Sequence, residues 1–121
     1  MKSSPDPSLD GLFRAISFQI AGIAVSLLAN SANFALILFA DTRGHEIALC
    51  VPIIATALFT FVWGDATLQS QAANIKDASV ATRDSHAYRF ISKQPYSLLR
   101  LMNFILAAAL AASQFSILFS E

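Results

Sequence analysis

Few side chains in this sequence are able to do chemistry. His45 and His86 are the only imidazoles and Cys50 the only thiol. A single histidine such as His45 suffices as axial ligand for a chlorophyll-like pigment, whereas the same residue is an ordinary polar loop side chain in most proteins. One cysteine builds neither a disulfide nor a CxxC metal site, and Cys50 has no neighbouring base or cation to activate a thiolate. The hydroxyls of Ser113, Ser116 and Ser120 have no histidine close by in sequence. Gly-rich phosphate loops, HExxH, a nucleophile elbow and an EF-hand loop are all missing from the sequence. No enzyme and no metal centre is expected.

The carboxamides carry more information. Gln19, Ser26, Asn30 and Asn33 fall at offsets 0, 7, 11 and 14, which on a helix places them within about 60° of one another. Gly22 adjoins that face, and Gly22-xxx-Ser26 is a small-residue pair that admits close approach of another helix. Asn103 and Gln114 repeat the arrangement 11 residues apart, with Ala107 between them. Thr56, Thr60 and Gly64 follow at spacings of four. Such uncharged polar stripes join helices to one another or to a partner, or line a wet path. Gln19, Gly22, Ser26, Asn30, Asn33, Asn103, Ala107 and Gln114 are therefore the candidate helix-packing or partner face.

The elements that hold these residues are set by where charge is absent. Of 121 residues, 55% are apolar and only 13% charged, against about 25% charged in an average soluble domain. Eight basic residues balance eight acidic ones, which leaves no positive field for nucleic acid. Uncharged runs cover 15–40, 47–64 and 101–120, or 26, 18 and 20 residues. As helices they reach about 39, 27 and 30 Å, against a hydrocarbon core about 30 Å thick. So short a chain cannot bury three all-apolar helices on every side. The fold expected is an all-α membrane protein: one domain of three transmembrane helices, 15–40, 47–64 and 101–120. The first run is too long for a cleaved signal core and reads as a signal anchor.

Around these spans lie an N-terminal tail over 1–14, irregular over 1–10 and ending in Asp10 as N-cap, a turn over 41–46, and a partly helical segment over 65–100. With no Pro and no further Gly from Gly64 to Gln94, that segment allows span two to continue for several turns before reversing at 93–95. Lys2, Arg14, Lys76, Arg83, Arg89, Lys93 and Arg100 share one side of the membrane and Arg43 alone holds the other. The positive-inside rule then places the N-terminus in the cytoplasm and the C-terminus outside, as in a bacterial inner membrane or its equivalent. Trp63, Tyr96, Arg89, Lys93 and Arg100 are expected as interfacial anchors.

Spans one and three run in parallel in this topology. Depth arithmetic puts Gln19 level with Asn103, and Asn30 level with Gln114, so two amide rungs are expected between these helices. Deep charged residues, on which proton relays and voltage sensors rely, are missing from all three runs. The leading functional expectation is a non-catalytic accessory or assembly subunit of a larger membrane complex, or of an assembly with itself. The alternatives are a homo-oligomeric channel, transporter or membrane effector using the polar face of the first helix, and a pigment-binding subunit.

Overall fold

The computed structural model describes residues 7–120, and every regular element among them is helical: α1 (Pro7–Phe39), α2 (Glu46–Lys76), α3 (Val80–Arg83), α4 (His86–Ser92) and α5 (Tyr96–Leu118). Three of these, α1, α2 and α5, are long and apolar enough to cross a membrane. With 33, 31 and 23 residues, they extend about 50, 46 and 35 Å.

Each helix outgrows the uncharged run inside it. α1 begins at Pro7, so Asp10 does not cap it. Proline's fixed φ suits a first turn, and Asp10 lies within that turn, 3.3 Å from Arg14 one turn on. The irregular tail expected over 1–10 is thus helical from Pro7 onward, and residues 1–6 lie outside the described residues. At the other end, the chain leaves α1 after Phe39 and turns through Gly44, whose φ of +85° is one that only glycine adopts without strain. Arg43 folds back on Asp41 through its backbone N–H and its Nε, both at 3.2 Å, and this bonding holds the Asp41 carboxyl below its ordinary pKa.

α2 continues past Gly64 to Lys76, but the helix does not persist to 93–95. Two serines end that continuity. Ser79 accepts from the Thr82 N–H and Ser85 from the Tyr88 N–H, each at 3.1 Å. A serine that caps a new helix competes with its own place inside an old one. The result is a connector of two short helices in which Ala78, Thr82 and Ile91 are buried and α4 packs against α2.

α2 is the central helix: α1 and α5 each pack along it and touch one another far less. Near the 41–46 turn the three converge on Ile37, Ile53 and Leu118, joined by Leu49, Cys50 and Phe115. Elsewhere the contacts depend on glycines. A Cβ on Gly22 would collide with the Trp63 indole, one on Gly64 with the Asn103 carboxamide, and one on Gly11 would stand 3.3 Å from Asn74 Oδ1. The approach expected at Gly22 is therefore filled by a tryptophan. Trp63 is half-buried, and its Nε1 donates to the Phe18 carbonyl at 2.8 Å, one turn before Gly22. Beyond its expected place as an interfacial anchor, it wedges α2 onto α1. Gly22→Ala should destabilise the fold by about 1–3 kcal/mol, the usual cost of overpacking, measured by thermal unfolding in detergent; an unchanged midpoint would disprove the wedge.

Candidate functional site

The most enclosed polar group is Gln114, with no exposed surface, and Asn30 beside it is 6% exposed. Gln114 Nε2 donates to Asn30 Oδ1 at 2.7 Å. Asn33 Nδ2 donates to Gln114 Oε1 and to Thr56 Oγ1, both at 3.1 Å. The network closes on backbone carbonyls: Asn30 Nδ2 reaches Ser26 O at 2.8 Å and the Thr56 hydroxyl reaches Pro52 O at 2.7 Å. One residue on α5 thus gathers two from α1 and, through Asn33, one from α2. No buried side-chain nitrogen or oxygen among the described residues lacks a partner.

The rung expected between Asn30 and Gln114 is present; the one expected between Gln19 and Asn103 is not. Gln19 accepts from Gln71 Nε2 in a short hydrogen bond. Asn103 instead lies over Gly64 and donates to the Phe61 carbonyl at 3.1 Å. The physical reason is divergence. Away from Gln114, α1 and α5 splay apart on either side of α2, leaving a cavity of about 370 Å³ with Gln19, Ser26 and Asn103 among its walls. Depth alone matched these two amides, yet α2 supplies nearer partners to both.

The remaining candidates fall into place around that frame. Gly22 and Ala107 are buried, and Ser26 is half-buried along the cavity. Tyr96 opens α5, and its hydroxyl donates to the Ile91 carbonyl at 3.0 Å and lies 3.3 Å from Gln71 Oε1. Arg100 forms a two-pronged ion pair with Asp65, Nε–Oδ1 at 2.6 Å and Nη2–Oδ2 at 3.3 Å. Arg89 and Lys93 are exposed at the connector, and His45 is exposed just before α2. Among the described residues no three histidines, cysteines or carboxylates gather as a metal would require.

Sequence reasoning passed over Gln71, Asn74 and Asp65. The signal for them was hairpin symmetry. Gly11 with Asn74, Gln19 with Gln71, Gly22 with Trp63 and Asn33 with Thr56 are all centred within the 41–46 turn. Likewise Asp65 with Arg100, and Gln71 with Tyr96, are centred on α3. What these residues can do chemically is bond one another: the arrangement is a set of interhelical ties, with no nucleophile–base pair in it. Compared with known protein families, curated proteins and solved structures, the chain shows no significant match.

A double-mutant cycle with Asn30→Ala and Gln114→Ala should return a coupling near the membrane average of about 0.6 kcal/mol and under about 1.7. The same cycle on Gln19 and Asn103 should return none. Equal coupling in both would contradict the divergence of α1 and α5.

Proposed function

We propose that the chain is a three-span membrane protein that works without catalysis, as an accessory or assembly subunit that binds other membrane helices. One observation carries this reading. The carboxamides at depth are hydrogen-bonded within the bundle, while only 17%, 11% and 17% of the most apolar stretches of α1, α2 and α5 are buried. The surface left for function is therefore apolar and lateral. On α5, Ala108, Ala112 and Ser116 recur every fourth residue on exposed positions, the spacing of small residues that lets a further helix approach closely. The buried amides then position α5 for that contact instead of making it themselves.

The same reading places the connector end in the cytoplasm, because the described basic residues Arg14, Lys76, Arg83, Arg89, Lys93 and Arg100 all belong to that end and Arg43 alone to the other. A bacterial inner membrane or an equivalent bilayer fits this asymmetry. Alkaline carbonate washing should leave the chain in the membrane fraction.

Purification in mild detergent should bring down a stoichiometric partner, and Ala112→Leu should release it while leaving helicity by circular dichroism unchanged. A lone monomer would end the proposal. Water access separates it from a channel. In a chain whose Cys50 has been replaced, Asn30→Cys should resist a membrane-impermeant thiol reagent, whereas labelling would mean that the polar face of α1 lines a wet path.

A further inference from the structure

A cleft of about 380 Å³ opens between the last turns of α2 and the first turn of α5. Its rim carries Lys76, Arg100, Gln69 and Ser97, its floor Leu68 and Ala72, and no carboxylate lines it. Asp65 lines the adjoining cleft, which shares Ser97 and Arg100 with this one, and there it accepts from Arg100 and from Gln69 Nε2 at 2.7 Å. Arg100 uses Nε and Nη2 in that pair, so its Nη1 remains for a second anion. Lys76 is exposed, and no ion pair among the described residues involves it. The excess positive charge of this cleft is therefore that of Lys76.

We propose that the α2–α5 cleft binds the phosphate headgroup of an anionic phospholipid, with Lys76 and Arg100 as charge contacts and the Ser97 hydroxyl as a donor. Position favours a lipid over a free anion. The apolar run of α5 begins at Leu101, directly after Arg100, and that of α2 ends at Gly64, so the Arg100 end of the cleft lies where polar and apolar surfaces meet, while Lys76 stands 12 residues, about 18 Å of helix, farther out. Its apolar floor suits the glycerol end of a lipid and offers nothing to inorganic phosphate. Basic pockets between membrane helices on the cytoplasmic side recognise anionic headgroups in this way. The inference rests on the bilayer placement proposed above.

The test uses the full chain in a neutral detergent, with thermal unfolding followed against dioctanoyl-phosphatidylglycerol, dioctanoyl-phosphatidylcholine or inorganic phosphate. Only phosphatidylglycerol should raise the midpoint. Lys76→Gln should weaken that response about fivefold, Ser97→Ala should weaken it less, and Arg83→Gln, outside the cleft, should leave it unchanged. Equal stabilisation by phosphatidylcholine overturns the proposal. So does an equal loss in the Lys76 and Arg83 variants, or a full response to phosphate alone. A chain retained by membranes that fails to distinguish the two lipids refutes this inference and leaves the membrane reading intact; a chain washed off at alkaline pH refutes both.

Discussion

A carboxamide sealed from solvent needs a partner at each end, and Gln114 is such a group. Leaving either end unmatched would cost on the order of 1–3 kcal/mol, so the positions of Asn30 and Asn33 are constrained by Gln114 more tightly than apolar packing would require. Because Asn33 also reaches Thr56, the constraint extends to α2 and fixes all three long helices at one level. Apolar contacts nearby, such as Ile37, Ile53 and Leu118, tolerate sliding by comparison, since dispersion has no direction. Each such tie adds little stability in lipid. Its main effect is to define which residues face one another.

Away from that level the bundle is held by a different device. Glycines on α1 and α2 remove a side chain where a large or polar one arrives, at Gly22 for Trp63 and at Gly64 for Asn103. This second device runs through α2, so away from Gln114 α1 and α5 are each bound to α2 more than to one another. The cavity between them follows from that geometry. At the far end, Asp65 with Arg100 and Gln71 with Tyr96 rejoin α5 to α2 just where the connector delivers it.

The helical class was legible because charge is absent in runs of a length that few other structures explain. Asn30 and Gln114 were legible too, since a fixed rise per residue converts sequence offset into depth. The same arithmetic failed for Gln19 and Asn103, because depth says nothing about lateral distance and α2 was not weighed as a competing partner. The break after Lys76 was hidden by alanines that favour helix, while Ser79 and Ser85 acted through caps that composition does not reveal. Asp65 and Arg100 close one apolar run and open another, and their opposite charges were readable as a pair. The lateral contact proposed for α5 has no such trace, because alanines on an open face and alanines facing a helix look alike.

The order of the helices in the chain has a consequence for biogenesis. A ribosome delivers the α1–α2 hairpin well before α5, so Asn30 Oδ1 and part of Asn33 wait without the glutamine that later covers them. In the bilayer placement proposed above, this makes the two-helix intermediate the vulnerable stage. Truncation or delayed synthesis before Gln114 would leave a hairpin with bare amides, the kind of species that an insertase must shelter or a membrane protease removes.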